Sequence, residues 1–249
     1  RVTLGTETYI PGYGFGTLAE GSITADMANE PNANWKRYYH TWNTSDPGTA
    51  NYLDDKGSEV ADFYSYFAGS YFTTFMNETK DGYTWTPELA NTFPEAVGGA
   101  NGMSTKWRFE IKVGDQLKYS TLSQKADRQA FNNRQVEAED YITAYKLLLT
   151  QANGLERGAE MAAATTGAIK GAAQYYNASE EGFNADAWAN VGVRTYEEGG
   201  KTYFEYEFTS PVTSFYSMYY ITSSLYQPIP QEFLDLVGVQ NYLGFNEDK

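Results

Sequence analysis

Residues 191–208, VGVRTYEEGGKTYFEYEF, contain two alternating segments separated by a pair of glycines. In the second segment, Phe204, Tyr206 and Phe208 alternate with more polar residues, which is the period of a strand with one buried face. Gly199-Gly200 can adopt the positive φ angles that a tight turn requires. The pattern predicts a β-hairpin, and therefore antiparallel sheet, with Ser210-Pro211 ending the second strand.

Two other segments are typical of strands. KWRFEIKV at 106–113 places Trp107, Phe109, Ile111 and Val113 on one face. WKRYYHTW at 35–42 is rich in aromatic residues and predicts a further strand. A polar segment from about Gln116 to Gln135 predicts a surface excursion, and residues 1–34, rich in Gly, Ala, Thr and Asn, predict a flexible lead-in.

Helical spacing of apolar residues recurs between these strands. EAEDYITAYKLLL at 137–149 predicts a helix, because it is acidic at its start and has a lysine near its end. Gly238 would end a short helix that begins near Glu232. Prolines at 228 and 230 predict an extended segment before that helix. Helices are also expected at 58–76, 88–90, 158–178 and 212–222, so the fold class is α/β in a mixed α+β form.

Charge and composition exclude several classes of function. The formal net charge is -14, so the field of the protein repels nucleic acid, and no basic segment reverses it locally. The chain has no cysteine, which excludes disulfides and thiolate metal sites. No apolar segment approaches the ~20 residues that span a bilayer.

The residues also argue against an enzyme. His40 is the sole histidine, so neither a histidine-based triad nor a histidine zinc site has its partners. Glycosidases use paired carboxylates, but acidic pairs are frequent in this chain and each lies near a turn or a helix start. These pairs are Asp54-Asp55, Glu139-Asp140, Glu180-Glu181 and Glu197-Glu198. We therefore expect no catalysis, no cofactor and no metal.

Five segments, taken in order, resemble the substrate-binding proteins of peptide and nickel ABC importers. VEAEDY at 136–141, followed by Tyr145, is similar to a helix start of that family. The hairpin with its proline-containing continuation, VGVRTYEEGGKTYFEYEFTSPVTSFYSMY and then YQPIPQEFLDLVG, is similar to another family segment. The remaining segments are HTWNTSDPGTANYLDD, TWTPELANTF and KWRFEIKVGDQLKYS. Together they cover roughly residues 40–240.

The resemblance implies a truncated two-lobed fold of the periplasmic-binding-protein type with an extra domain. Residues 35–72 and 223–249 would form part of lobe I, and residues 73–222 would form the extra domain. The second lobe would be absent, because family members are about twice as long. The positions after the first turn that would contact ligand are Leu53, Asp54, Asp55, Lys56 and Gly57.

The function implied is capture of oligopeptides outside the membrane for the permease of an ABC importer. The protein would be a monomer, located in the periplasm or anchored as a cell-surface lipoprotein. Two alternatives remain open. One is a different solute on the same fold, such as a nickel chelate, haem or an oligosaccharide, and the other is a carbohydrate-active enzyme or lectin, suggested by the many aromatic and acidic residues.

Overall fold

The computed structural model describes residues 2–4, 7–9, 53, 69–76, 82–120, 125–222 and 226–244. The chain divides into two compact units, Arg1–Pro47 and Gly48–Lys249. In the first unit, β1 (Val2–Leu4) pairs antiparallel with β2 (Glu7–Tyr9). The strand expected at 35–42 and most of the predicted lead-in lie outside the described residues.

A four-stranded antiparallel sheet is the centre of the second unit. Its order is β5 (Glu95–Ala96), β6 (Met103–Glu110), β10 (Lys201–Thr213) and β9 (Val193–Glu198). The predicted hairpin and the strand at 106–113 are confirmed, although β6 itself ends at Glu110 and Ile111 continues only as an isolated bridge.

The expected end of the second hairpin strand at Ser210-Pro211 is wrong. β10 continues to Thr213, because its pairing with β6 resumes at Val212 opposite Ser104 after a register shift beyond Glu207. Proline lacks the N–H that a regular ladder needs, and Pro211 lies within this irregular stretch, where that N–H is not required.

The helix predicted at 58–76 is wrong at its C-terminal end, and its residues 58–68 lie outside the described part of the chain. Residues 72–76 form β3 (Phe72–Met76), which pairs antiparallel with β4 (Tyr83–Pro87). The aromatic spacing was compatible with a helix, but Thr73 and Thr74 are β-branched and suit a strand with a paired neighbour. Glu88–Ala90 is likewise not helical, because Ala90 bridges to Ile111 instead.

The helix predicted at 137–149 is confirmed as α2 (Ala138–Leu149). It buries Tyr141, Ile142, Tyr145, Leu148 and Leu149, which are the apolar positions that its sequence indicated. Its first turn is closed by the Glu137 backbone N–H, which donates to Asp140 Oδ2 at 2.8 Å.

The polar excursion contains some regular structure of its own. It holds β7 (Gly114–Lys118), α1 (Ala126–Gln129) and β8 (Gln135–Val136), and β7 pairs with β8. Most of its residues from Asp115 to Gln135 that the structure describes are at least partly exposed, as a surface excursion requires.

The helical stretch expected at 158–178 consists of two helices, α3 (Glu156–Ala163) and α4 (Ala172–Ala178). Gly167 and Gly171 interrupt it with φ angles of 67° and 74°, in the left-handed region that favours glycine. Between these glycines, Ile169 forms a bridge to Phe208 of the sheet, which holds this segment out of a helix. A short helix, α5 (Ala185–Trp188), follows.

The last elements agree with the sequence. The aromatic stretch at 212–222 contains α6 (Ser214–Ile221), residues 227–230 are extended, and α7 (Gln231–Val237) ends at Gly238. The Gly238 N–H donates to the carbonyl of Leu234 at 2.8 Å and so caps the helix. A further short helix, α8 (Val239–Leu243), follows directly.

Two buried apolar clusters hold the second unit together. The larger one joins one face of the sheet to α2, and its fully buried rings include Tyr71, Phe109, Tyr145 and Phe204. The smaller one joins the opposite side of α2 to α7 and α8. Its members are Leu53, Ala144, Leu147, Leu148, Leu155, Ile229, Leu234 and Leu243.

The fold is therefore mixed α+β with antiparallel sheets, as the sequence predicted at that level. The domain boundaries predicted at 72/73 and 222/223 fall inside the unit Gly48–Lys249, and the three-part division stays a prediction. Among the described residues, no helix has the length and apolar character needed to cross a membrane.

Candidate binding pockets

Of the predicted ligand-contact segment, residues 53–57, the structure describes Leu53 only. Leu53 is fully buried in the smaller apolar cluster, together with Leu147 and Leu148 of α2. A fully buried leucine is a packing residue, so a ligand contact there would involve the backbone instead of the side chain. Asp54, Asp55, Lys56 and Gly57 lie outside the described residues, and their role stays a prediction.

Residues 69–71 and 226–227 lie side by side, although more than 150 positions separate them. Gln227 Nε2 donates to the carbonyl of Gly69 at 2.8 Å. The rings of Tyr71 and Tyr226 stack with centroids 6.4 Å apart, and Tyr226 stacks on Tyr145 of α2 at 4.5 Å with nearly parallel planes. The chain therefore departs toward β3 and returns from α6 at the same place.

A buried ion pair lies close to this crossing point. The Asp140 side chain is 4% exposed, and it accepts hydrogen bonds from Arg134 Nη1 at 2.6 Å and from the Tyr119 hydroxyl at 3.0 Å. Arg134 also pairs with Glu232 of α7. Burial and the nearby Asp140 carboxylate raise the pKa of Tyr119, so its hydroxyl remains a proton donor.

The extended segment 227–230 is fixed to the same group of residues. The Ile229 backbone N–H donates to the carbonyl of Asp140 at 2.9 Å. Asp140 therefore connects the start of α2, the excursion that carries Tyr119 and Arg134, and the returning chain. Its contacts are structural: within the described residues the carboxylate is satisfied by hydrogen bonds and by its arginine.

Beside this network lies a cavity of about 270 Å³, which we call the aromatic pocket. It is lined by Tyr119, Ser120, Arg128, Phe131, residues 227–230, Phe233 and Tyr242. Phe131 and Phe233 meet edge to face with centroids 5.1 Å apart, and Phe233 meets Tyr242 in the same way at 6.0 Å. These three rings form one continuous apolar wall.

Arg128 borders this pocket and differs from the neighbouring arginine. Within the described residues, its solvent-shielded Nε has no hydrogen-bond partner and its guanidinium forms no ion pair. Arg134, only six positions further along, is held by Asp140 and Glu232.

A second cavity, of about 400 Å³, lies between α2, α7 and the loop at Phe183. Its polar groups are already bonded within the protein. Lys146 pairs with Glu139 at 2.6 Å, Thr150 Oγ1 donates to the carbonyl of Lys146, and Asn153 Nδ2 donates to the carbonyl of Leu147. This pocket therefore offers shape but few free polar groups to a ligand.

A third cavity, of about 260 Å³, lies on the sheet beside β9 and β10. Its charged residues neutralise one another: Glu205 pairs with Arg194 at 2.6 Å and Glu207 pairs with Lys170 at 2.9 Å. Lys106 lies 3.7 Å from Glu205 and completes the network. The charges of this site are already paired within the protein.

The acidic pairs that the sequence contains are separated by the structure into different roles. Asp140 is buried with Arg134, whereas its neighbour Glu139 is exposed and pairs with Lys146. Glu198 pairs with Arg108 across the sheet. No group of three or more potential metal ligands is found among the described residues.

Sequence reasoning missed Arg128, Phe131 and Arg134, because all three lie in a segment whose polarity predicted only surface. Two aromatic residues inside that polar run, Tyr119 and Phe131, were the signals that pointed to buried contacts.

No protein-family model matches this chain, and neither curated proteins nor solved structures contain a significant match. The resemblance to the substrate-binding proteins of ABC importers therefore stays a prediction from the sequence motifs.

Proposed function

We propose that this protein is an extracytoplasmic solute-binding protein that captures oligopeptides for the permease of an ABC importer. The proposal rests on five family-like segments, which follow one another in the order and spacing of the family. It implies a two-lobed binding fold. It includes no reaction, and it places the protein outside the membrane, in the periplasm or on the cell surface.

The observation that carries this proposal is the contact between residues 69–71 and 226–227. An extra domain inserted into a lobe must leave and rejoin that lobe at neighbouring points. The hydrogen bond from Gln227 to Gly69 and the stacking of Tyr71 on Tyr226 place the two ends of residues 72–225 together. The boundaries expected from the family resemblance, near 72 and 223, are within a few residues of this contact, which supports the proposal.

Ligand capture in this proposal uses two lobes that close around an extended peptide. The first lobe would contribute residues 53–57, with Asp54 and Asp55 supplying hydrogen-bond acceptors for the peptide. The buried Leu53 would anchor the start of this segment in the smaller apolar cluster. A rigid anchor beside a contact loop reduces the entropy that the loop loses on binding.

The experiment uses protein expressed from the full coding sequence, purified without denaturation and analysed by mass spectrometry for the ligand that it retains. Short peptides are expected. A retained oligosaccharide, haem or nickel chelate would replace the peptide assignment with another solute on the same fold.

A pair of variants then tests the predicted contact segment. Asp54→Asn with Asp55→Asn should weaken the binding of a retained peptide by about tenfold or more, because hydrogen bonds to charged groups are lost. Glu180→Gln with Glu181→Gln removes the same charge from an exposed turn and should leave affinity within about twofold. Equal affinities for the two double variants would remove Asp54 and Asp55 from the site.

One surface favours a carbohydrate ligand as the second candidate. Phe215, Tyr216 and Tyr219 of α6 are 52%, 50% and 60% exposed, and Trp85 meets Phe215 edge to face at 6.3 Å. Large exposed aromatic patches mark binding surfaces. A retained oligosaccharide whose binding is lost in Tyr219→Ala would support this candidate, and turnover of a glycoside would make the protein an enzyme.

A further inference from the structure

The guanidinium of Arg128 is a cation that has no ion-pair partner in the part of the chain that the structure describes, although the protein is acidic. The chain carries 32 acidic residues against 18 lysines and arginines, so carboxylates to pair with are plentiful. Arg108 pairs with Glu95 and Glu198, and Arg134 pairs with Asp140 and Glu232. Arg128 has no such pair within the described residues, although its Nε is shielded from water.

The shielding of Nε, in a side chain that is otherwise partly exposed, costs free energy unless an acceptor arrives from outside. A charged group that loses water without gaining a hydrogen bond is destabilising. The nearest carboxylate in the sequence, Asp127, is turned toward the backbone, where it accepts a hydrogen bond from the Arg128 N–H at 2.9 Å. The geometry therefore leaves the fork of Arg128 available to an external carboxylate, which it matches in shape.

The other residues that line the aromatic pocket favour a ligand in which the carboxylate is attached to an apolar group. Phe131, Phe233 and Tyr242 form one wall, and the segment 227–230 forms another. Pro228 and Pro230 have no backbone N–H to donate. The N–H of Ile229 is already bonded to the carbonyl of Asp140, so this second wall offers no free backbone donor between 228 and 230.

The size of the pocket limits the ligand to one small group. Its volume of about 270 Å³ lies just below the usual range of small-molecule sites, which begins near ~300 Å³. A single aromatic or branched apolar group beside one carboxylate fits this description, whereas an extended peptide does not.

We propose that the aromatic pocket binds a carboxylate attached to an aromatic or apolar group, with Arg128 holding the carboxylate and the three rings holding the apolar group. Such a ligand is available from two sources, a small aromatic acid and the C-terminal residue of a peptide. The proposal depends only on the geometry of this pocket and stands whether or not the protein captures peptides for transport.

The experiment is isothermal titration of the 249-residue chain at low salt with N-acetyl-L-phenylalanine and with its uncharged amide. The acid should bind at least about tenfold more tightly than the amide, because the charge-assisted hydrogen bonds require the carboxylate. This comparison uses the unaltered protein and so does not depend on the folding of any variant.

A matched pair of variants locates the site. Arg128→Gln should weaken binding of the acid by about tenfold to a hundredfold. Lys112→Gln removes the same charge from a half-buried lysine that forms no ion pair within the described residues and does not line the pocket, and it should change affinity by less than about twofold. Circular dichroism would establish that both variants are folded.

Glycyl-glycyl-phenylalanine and its C-terminal amide distinguish the two sources. Binding of the peptide acid in an Arg128-dependent manner identifies a peptide C-terminus as a ligand, whereas binding of the acetylated amino acid alone identifies a small acid. Equal binding of acid and amide, equal loss in the two variants, or the absence of measurable binding at millimolar concentrations would overturn the proposal. Peptide capture by the complete protein that is unaffected by Arg128→Gln would leave the proposed function standing without this pocket.

Discussion

Replacing Asp140 removes the buried carboxylate that joins the polar excursion, through Tyr119 and Arg134, to the start of α2. Its side chain is 4% exposed and accepts hydrogen bonds from two nitrogens of Arg134, at 2.6 and 3.3 Å, and from the Tyr119 hydroxyl at 3.0 Å. It also accepts the backbone N–H of Glu137 at 2.8 Å, which caps α2. Asp140→Ala therefore leaves three donor groups without their acceptor.

The magnitude follows from two contributions. Removing one partner of a buried ion pair costs about 3–5 kcal/mol, because the other charge is left uncompensated. Arg134 is 17% exposed in its side chain and keeps Glu232, so the lower half of that range applies. Loss of the helix cap adds about 1 kcal/mol. We expect Asp140→Ala to reduce the free energy of unfolding by about 4 kcal/mol.

Asp140→Asn separates these contributions. Asparagine has nearly the same shape and retains an oxygen that can accept the N–H of Glu137, so the cap can survive. The ion pair with Arg134 is lost, and we expect a reduction of about 2–3 kcal/mol in the free energy of unfolding.

The assay is urea unfolding followed by circular dichroism, with all variants compared at one pH. Glu139→Gln is the control, because Glu139 is the adjacent residue on the same helix but is 61% exposed, and its pair with Lys146 should contribute at most about 1 kcal/mol. A loss below about 1 kcal/mol for Asp140→Ala, or a loss equal to that of Glu139→Gln, would refute the reasoning.

Two further predictions use the same unfolding assay. Gly171→Ala should lower the free energy of unfolding by more than about 3 kcal/mol, because φ is 74° and an added Cβ would lie 2.3 Å from the Asn190 carbonyl oxygen. Gly154→Ala has a similar φ of 68° but lies in open space, so it should lower the free energy of unfolding by only about 1–2 kcal/mol. Equal losses for the two variants would show that the Asn190 contact does not matter. Raising the pH above about 10 should lower the free energy of unfolding by up to ~1.4 kcal/mol per pH unit for each buried tyrosine. Burial raises the folded-state pKa of these tyrosines, so they ionise first in the unfolded chain. The stability that their neutral form contributes is therefore intact only below the unfolded-state pKa. Tyrosinate absorbance that rises fully before unfolding would contradict this second prediction, which concerns Tyr71, Tyr119, Tyr141, Tyr145, Tyr206 and Tyr226.

The sheet and α2 could be predicted because a short stretch of sequence contains the information that determines each. The hairpin at 191–208 has a strict alternation and a glycine turn, and α2 has an acidic start and a helical apolar stripe. The strand at 72–76 could not be predicted in this way. Its aromatic spacing is compatible with a helix, and the pairing of β3 with β4 decides the outcome.

The pocket depends on contacts that are distant in the sequence. Arg134 meets Glu232 across 98 positions, and Phe131 meets Phe233 across a similar separation. Neither residue carries a local pattern that identifies its partner. A phenylalanine in a polar segment indicates at most that its ring packs against another part of the protein. The tertiary fold determines which residues it contacts.

Tyr119 and Ile229 line the aromatic pocket and also contact Asp140, whereas Arg128 lines the pocket only. Experiments can therefore separate the role of Asp140 from that of Arg128. The Tyr119 hydroxyl donates to the Asp140 carboxylate, whereas the Ile229 N–H donates to the Asp140 backbone carbonyl, so only the Tyr119 contact depends on the Asp140 side chain. Arg128 has no bond to Asp140 and none to Arg134 within the described residues. Asp140→Asn should therefore lower stability and, by loosening the wall that Tyr119 forms, weaken acid and amide ligands alike. Arg128→Gln should not lower stability and should remove only the preference for the acid, which is the behaviour of a residue that contacts ligand and does not support the fold.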